Sequence, residues 1–351
     1  MLFGLTSIVF ALALGIWTLI KNVGNRFTIG LSVMVLFFPL ELLTTSFPEY
    51  FISKISPYAI YTFTVFVIYL CAKLSSGKNI LITPIFSITA AFVMGILILT
   101  IARNGYVGLG TIFDNYMAPT MALFILANER HRITTKSSKK IIMLICIAAV
   151  YGTFEFAIKK NILLESVFAQ MSWISTQWNE SFHRSTSTIG HPLIAATIYL
   201  MGLALLETTN KKYWLYTSML IVGVLSTGSR AGVVISIAVI LSKHVRLRLK
   251  ARDALGLSAM GIMAFIAYAA GLFDQILGRF INGEGSTAVR TALFEFIPGI
   301  IRDNFIGHGI GASGVYAGEI GFYNAIEIPW IALIIELGVA CLLYTSDAAD
   351  E

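Results

Sequence analysis

Charged residues are scarce in this sequence. Only 13% of its 351 residues are Asp, Glu, Lys or Arg, whereas 57% are hydrophobic, and the mean hydropathy is +0.80. A soluble globular domain has about 25% charged residues and a smaller apolar fraction. The composition therefore excludes an ordinary soluble protein and predicts an integral membrane protein.

Cysteine is scarce as well. The chain has three cysteines, of which Cys71 and Cys146 lie in or beside apolar runs. This number and spacing provide neither a disulfide framework nor a set of metal ligands. We interpret the cysteines as small apolar residues of the interior, and we expect no metal and no cofactor.

Three further features are missing. The first apolar run has the length of a membrane span and lacks a basic start, so we expect it to remain as the first helix rather than to be a cleaved signal peptide. The sequence has no convincing internal repeat of the kind that builds transporters from matching halves. It also has no filter-like element, which argues against a channel.

Long apolar runs make up most of the chain. A helix needs about 20 apolar residues to cross about 30 Å of hydrocarbon. We therefore predict an all-α, polytopic transmembrane helical bundle, with a single membrane domain over residues 1–340. Its eleven predicted spans lie near residues 2–20, 27–47, 55–70, 80–101, 107–128, 141–158, 188–206, 213–225, 231–241, 254–273 and 326 onward.

The basic residues predict the orientation of this bundle. Sixteen of the 25 Lys and Arg residues lie in the connections after the odd-numbered spans, and cytoplasmic loops carry such an excess. The basic stretch 242–252 is thus a topology anchor, and we expect no nucleic-acid partner. Two long segments, 159–187 and 274–325, are predicted on the outer face, where loops of this length are usually functional.

The last eleven residues, CLLYTSDAADE, break the apolar pattern. They resemble the translated adapter of a sequencing library. We therefore expect a non-native tail over residues 341–351 and further helices in the natural protein. A genuine cytoplasmic tail fits the alternation of topology equally well.

Arg230 interrupts the stretch LSTGSRAGVV between two apolar runs. An arginine in hydrocarbon costs at least about 2.5 kcal/mol and usually faces a cavity or an anion. We predict that it lies at the outer end of a tight helical hairpin, in which Ser226, Gly228 and Ser229 allow close approach of the two backbones. The alternative is a simple snorkelling arginine at the membrane interface.

Arg184 and Arg290 have similar surroundings. Arg184 precedes the hydroxyl-rich stretch STSTIGHP, in which Pro192 marks the first turn of a helix. Free N–H groups at a helix start, together with an arginine, favour an anion. Arg290 precedes a stretch that we interpret as an amphipathic helix on the membrane surface. The apolar residues of that stretch are Ala292, Leu293, Phe296, Ile297, Ile300 and Ile301.

Three arginines on one predicted face indicate a site for phosphate or pyrophosphate, because the planar guanidinium pairs with such anions in a bidentate manner. Four motifs in order between residues 173 and 340 also resemble the O-antigen polymerase and O-antigen ligase superfamily. They are RSTSTIGHPLIAA, LSTGSRAG, STAVRTALFEFIPGIIRDNFIGHGIG and EIPWIALIIELGV.

The resemblance implies a metal-independent glycosyltransferase of the bacterial cytoplasmic membrane, with a multi-pass bundle and an active site on the outer face. Its donor would be an undecaprenyl-diphosphate-linked glycan, and a chain-length regulator is a plausible partner. Carried over to this sequence, Arg184, Arg230 and Arg290 would bind the diphosphate or the glycan. Such arginines stabilise the negative charge on the leaving group.

One departure from the family pattern bears on the reaction. Ligases have a histidine about eleven residues before the glycine of the closing helix, and here that position is Glu327. A carboxylate with a raised pKa can still accept the proton of an acceptor hydroxyl. The resemblance thus assigns catalysis to Glu327 with Arg290 and favours a polymerase of repeat units. A ligase to lipid A core and a flippase for lipid-linked glycans are the alternatives.

Four other polar residues have two interpretations each. His191 either forms hydrogen bonds at a helix start or acts as a catalytic base or substrate-binding residue, and His308, in a glycine turn, is a surface residue or a substrate contact. Glu41 and Glu155 lie within apolar runs. Each is either the buried partner of other polar groups or part of the lining of a glycan cavity.

Overall fold

The computed structural model describes residues 2–20, 23–48, 50–77, 79–106, 108–129, 135–169, 183–207, 214–245, 284–319, 326 and 328–339. Within these ranges every regular element is helical and no strand occurs, which confirms the all-α class. The chain forms two compact units, one of residues 1–69 and 129–281 (unit 1) and one of residues 70–128 and 282–351 (unit 2).

The described residues form helices along the whole order of the chain. In chain order they are α1 (Leu2–Ile20), α2 (Val23–Phe37), α3 (Glu41–Ser46), α4 (Pro57–Ser75), α5 (Pro84–Asn104), α6 (Leu109–Glu129), α7 (Thr135–Ile158), α8 (Glu165–Phe168), α9 (Pro192–Glu207), α10 (Trp214–Ser226), α11 (Arg230–Val245), α12 (Glu284–Asp303), α13 (Ser313–Glu319) and α14 (Pro329–Leu337). A 3-10 turn, Phe51–Lys54, precedes α4, and α6 contains a π-helical turn, Phe113–Met117.

Among the described residues, four helices are long and apolar enough to cross a membrane: α4, α5, α6 and residues Ser137–Ile158 of α7. They indicate a multi-pass membrane protein, as the composition predicts. Helices α1, α2, α9, α10 and α11 contain shorter apolar stretches. The predicted span 254–273 and the predicted tail 341–351 lie outside the described residues.

The second predicted span, 27–47, is not one helix. Helix α2 ends at Phe37 and α3 begins at Glu41, so the chain leaves the helical path around Pro39. Proline has no N–H to donate and disfavours helical geometry in the residue before it. The prediction of a continuous span was therefore wrong, although the proline that ends the helix is visible in the sequence.

The core of unit 1 forms where α7 packs against α2, α9 and α10. Tyr199 of α9 is fully buried in this core. A Cβ atom on Gly223 of α10 would lie only 2.7 Å from the Cβ of Ala149 on α7. Small residues at this crossing allow the two backbones to approach closely, which is how helices in membranes gain packing energy.

In unit 2, α12 confirms the predicted amphipathic helix and corrects its surroundings. Leu293 and Ile300 are 1% exposed and pack in one cluster with residues of α13 and α14. Because protein covers these two side chains, they do not lie on a membrane surface as the sequence led us to expect. Ala292 and Ile301, the first and last residues of the predicted apolar stripe, are exposed.

Candidate functional site

The turn between α10 and α11 carries Arg230, as the sequence predicts for a tight hairpin. Helix α11 begins at Arg230, two residues after Gly228, whose φ of 63° is the left-handed conformation that glycine tolerates best. Ser229 precedes the helix, and its Oγ accepts a hydrogen bond of 3.2 Å from the N–H of Gly232, as an N-cap residue does. Arg230 is half-buried at this position.

Arg184 docks on the same turn. Its Nε donates a hydrogen bond of 3.0 Å to the carbonyl of Thr227, and the N–H of Ser185 donates one of 3.0 Å to the carbonyl of Ser226. Two segments that are 43 residues apart in the chain are thereby joined. The structure thus brings Arg184 to the hairpin turn that carries Arg230, and Arg184 is also half-buried.

The hydroxyl-rich stretch after Arg184 binds an anion of the protein itself. Glu155 of α7 is fully buried, and its Oε1 accepts hydrogen bonds from the N–H and Oγ1 of Thr186 at 3.1 and 2.9 Å. Its Oε2 accepts hydrogen bonds from Ser185 Oγ at 3.0 Å and from Ser187 N–H at 2.6 Å. The two backbone N–H groups lie at different oxygens and can only donate, so both carboxyl oxygens act as acceptors.

This geometry decides between the two interpretations of Glu155 and corrects one prediction. Glu155 is the buried partner of other polar groups. The hydroxyl groups of Ser185 and Thr186, which belong to the hydroxyl-rich stretch that the sequence offers to a ligand anion, donate instead to Glu155. Sequence reasoning assigned these donors to the ligand because nothing along the chain relates them to a glutamate about 30 positions earlier.

Asn161 supports the same turn from a second side. It is fully buried, and its Nδ2 donates to the carbonyl of Ser187 at 2.8 Å and to Thr186 Oγ1 at 3.3 Å. Tyr151 donates its O–H to Asn161 Oδ1 at 2.8 Å. Ser187 has a φ of 54°, which is rare for a residue with a side chain and persists only where the surroundings hold it.

His183 is a buried residue that the sequence did not bring forward. This residue is 3% exposed, and its Nε2 lies 3.8 Å from Glu155 Oε1. Neither ring nitrogen has a hydrogen-bond partner among the described residues. Burial, with a smaller contribution from the positive charge of Lys159, lowers the pKa of His183 to about 4. The imidazole is therefore neutral at neutral pH.

His191 and Glu41 complete the surroundings of the turn in unit 1. His191 accepts a hydrogen bond of 3.2 Å at Nδ1 from the N–H of Leu193. This contact agrees with the interpretation of His191 as a hydrogen-bonding residue at a helix start. Glu41 lies against Gly190, because a Cβ atom at that glycine would be 2.5 Å from Glu41 Oε2. Two carboxyl groups from different helices, Glu41 of α3 and Glu155 of α7, therefore lie against this turn.

Unit 2 contains a comparable turn between α12 and α13. Glu336 of α14 accepts hydrogen bonds at Oε1 from the N–H of Gly311 at 3.1 Å and from Ser313 Oγ at 2.8 Å. The turn is also bound to α5, since Thr100 Oγ1 accepts a hydrogen bond of 3.0 Å from the N–H of Ile310. These contacts fix the glycine-rich stretch GHGIGASG.

The remaining predicted site residues belong to unit 2 or lie outside the described residues. His308 is half-buried, its N–H donates to the carbonyl of Ile335 at 2.8 Å, and its ring lies 5.5 Å from that of Tyr316. Arg290 belongs to α12, and its side chain lies outside the described part. Glu327 lies outside it entirely, so the predicted catalytic pair of Glu327 and Arg290 stays a prediction.

Metal ligands and relatives give no further assignment. Across the described ranges no group of three or more His, Cys, Asp and Glu side chains is placed to hold a metal ion. No protein-family model, curated protein or solved structure matches the chain. The function therefore follows from the site itself and from the motifs as a proposal.

Proposed function

We propose that this protein is a surface-polysaccharide polymerase. It joins undecaprenyl-diphosphate-linked oligosaccharide repeat units on the outer face of the cytoplasmic membrane. The observation that carries the proposal is the hydrogen bond from Arg184 to Thr227. It puts one arginine of the polymerase-like motifs on the turn in which the second, Arg230, begins its helix.

The proposed reaction is a transfer between two lipid-linked glycans. A hydroxyl of the acceptor glycan attacks the anomeric carbon of the donor, the bond from that carbon to the diphosphate breaks, and the lipid diphosphate leaves. Negative charge grows on the leaving oxygen as that bond breaks, and nearby cations lower the energy of this transition state. Arg184 and Arg230 have this role in the proposal, and Glu327 accepts the proton of the attacking hydroxyl.

The surroundings of the arginines favour a diphosphate. A guanidinium group offers several N–H donors in one plane and stays charged at all physiological pH values. Both arginines are half-buried, and a partly desolvated cation binds an anion more strongly than an exposed cation does. If Arg230 only anchored its helix at the membrane interface, the hydrogen bond from Arg184 to its turn would serve no purpose.

The first test uses cells that lack their own polymerase and express the complete gene product with Arg230 or with Arg230→Ala. We expect the surface-glycan ladder on a gel to collapse to single-repeat species in Arg230→Ala at equal protein level. Arg103→Ala is the matched control, because Arg103 is an exposed arginine in the last turn of α5. That variant should retain the ladder.

Three other results would overturn the proposal in different directions. A full ladder in Arg230→Ala would reduce Arg230 to an interfacial anchor. Lipid-linked repeat units that accumulate on the inner face would indicate a flippase. Complete polymer that remains on its lipid carrier would indicate a ligase, since polymerisation would then be intact and only transfer to lipid A core would be lost.

A further inference from the structure

We infer that Glu155 is a positioning residue for the arginine site: its carboxylate holds segment 183–188 so that Arg184 reaches the hairpin turn of Arg230. This inference rests on the proposed function. It adds a residue that makes no contact with the substrate and acts through Arg184. The basis is the set of four hydrogen bonds that converge on one buried carboxylate.

Ser185 connects the carboxylate to the hairpin. Its Oγ donates to Glu155 Oε2, while its own N–H donates to the carbonyl of Ser226. Arg184 is the neighbouring residue, and its side chain reaches the next carbonyl of the same turn. The hydrogen bonds to Glu155 therefore begin one residue after Arg184 and fix the direction in which its side chain leaves the backbone.

Both oxygens of the Glu155 carboxyl group are required as acceptors. It accepts two hydrogen bonds at each oxygen, and a glutamine amide accepts at only one of its two ends. The Ser187 backbone is in the left-handed region, which costs energy. We expect the backbone to move to a common conformation when the contacts that hold it are lost. Loss of one acceptor oxygen should thus release the segment without removing any group that contacts the diphosphate.

Glu155 also limits where the diphosphate can bind. A phosphate at the N–H groups of Thr186 and Ser187 would have to displace a carboxylate that is fully buried. Two anions cannot share these donors, because like charges at such a distance repel strongly in a medium of low dielectric constant. Recognition of the diphosphate therefore falls to Arg184 and Arg230 themselves, on the side of the hairpin.

The test is a double-mutant cycle in proteoliposomes, with purified complete protein and a radiolabelled lipid-diphosphate-linked repeat unit as donor. Glu155→Gln and Ser185→Ala are each measured alone and together with Arg184→Ala. We expect about 100-fold slower transfer for Glu155→Gln, as misplaced catalytic groups give, and about tenfold for Ser185→Ala, which loses one hydrogen bond. In the Arg184→Ala background both substitutions should have almost no further effect.

Glu165→Gln is the matched control, because Glu165 is a glutamate of the same unit whose side chain is 44% exposed and pairs with Lys160 at 2.8 Å. It should transfer repeat units at the normal rate. Rates are compared per folded protein, measured as the monodisperse fraction in gel filtration. If Glu155→Gln fails to fold, the cycle of Ser185→Ala with Arg184→Ala decides the question alone.

The outcomes separate the two proposals. Effects that multiply in the double variants would make Glu155 a structural residue and overturn the inference, while a slow Arg184→Ala would still support the proposed function. Normal transfer by Arg184→Ala would overturn the proposed role of that arginine first, and with it the inference. Normal transfer by both Glu155→Gln and Ser185→Ala would overturn the inference alone.

Discussion

The turns held by Glu155 in unit 1 and by Glu336 in unit 2 use the same device to different extents. In each, a carboxylate on a helix accepts hydrogen bonds from backbone N–H and serine or threonine groups of a distant turn. Glu155 is fully buried and accepts at both oxygens, whereas Glu336 is half-buried and accepts its two hydrogen bonds at Oε1.

The difference shows how burial sets the demand on a carboxylate. A buried charge costs several kcal/mol unless hydrogen bonds replace those of water. Glu155 therefore needs donors at every lone pair, which the run Ser185-Thr186-Ser187 supplies. Glu336 keeps some access to solvent or to other polar groups, so two donors are enough and its turn depends less on it.

The same substitution at both positions should have the largest and most unequal effect. Glu155→Gln turns an amide NH₂ toward a backbone N–H that then has no acceptor, and we expect it to lower the free energy of unfolding by about 3 kcal/mol. Glu336→Gln can place its amide oxygen at the position of Oε1 and retain both hydrogen bonds, so we expect a loss under about 1 kcal/mol. Thermal unfolding of both variants in detergent measures the difference.

Equal losses in Glu155→Gln and Glu336→Gln would break the comparison. They would mean that the amount of hydrogen bonding, rather than burial and charge, decides how much each turn depends on its carboxylate. The control is Glu165→Gln, whose parent side chain forms an exposed ion pair. Such pairs contribute at most about 1 kcal/mol.

Acid should destabilise unit 1 through His183. The pKa of this histidine falls from an ordinary 6.5 to about 4 on folding, so the unfolded chain binds the proton more readily. Stability is then fully present above about pH 6.5 and is lost as the pH falls toward 4, by at most about 3 kcal/mol. Stability as a function of pH measures this loss.

His183→Gln should flatten this dependence between pH 6.5 and pH 4. His308→Gln, the substitution of the half-buried histidine in unit 2, should leave the dependence in place. An unchanged slope in His183→Gln would contradict the assignment. It would show that protonation of the Glu155 carboxylate, 3.8 Å from the imidazole, dominates the acid response instead.

A smaller effect is expected at the glycines of unit 2. Gly108 has a φ of 85°, and an added Cβ atom would overlap the carbonyl oxygen of Ile310. Gly77 has a φ of 62° with no atom within 4 Å of the added Cβ. We expect Gly108→Ala to cost about 2 kcal/mol and Gly77→Ala about 1 kcal/mol, since only the former adds a clash with backbone to the strain in φ.

Differential scanning fluorimetry of the two alanine variants measures this pair. Equal melting temperatures would mean that the turn around Ile310 yields to the added methyl group. The turn held by Glu336 in unit 2 would then be more deformable than the turn held by Glu155 in unit 1. A larger loss in Gly77→Ala would contradict the packing around Gly108 altogether.

The apolar runs predicted helix positions well because the cost of exposing backbone in hydrocarbon leaves few alternatives. The hairpin at Arg230 and the helix after Arg290 were also predicted, since glycine, serine and apolar spacing are local signals. The break at Pro39 was missed because long apolar runs outweighed one proline. The covering of Leu293 by α14 was missed because periodicity does not tell a lipid surface from a protein one.

The site was predicted only in part. Arg184 and Arg230 were selected because charge in an apolar setting is a signal in the sequence itself. The donors after Arg184 were assigned to a ligand because the sequence of a hydroxyl-rich stretch does not show whether its anion is a ligand or a side chain of the protein. His183 was overlooked, since its burial follows from packing and has no local pattern.

The sequence by itself determined the apolar helices, the places where glycine and proline end them, and the few charges that need an explanation. These properties follow from chain composition and from local backbone sterics. Only the tertiary structure decided which anion occupies the turn after Arg184, because the choice depends on Glu155 lying within 3.1 Å of donors on another segment. Hydrogen bonds are short and directional, so contacts between distant parts of the chain fix them.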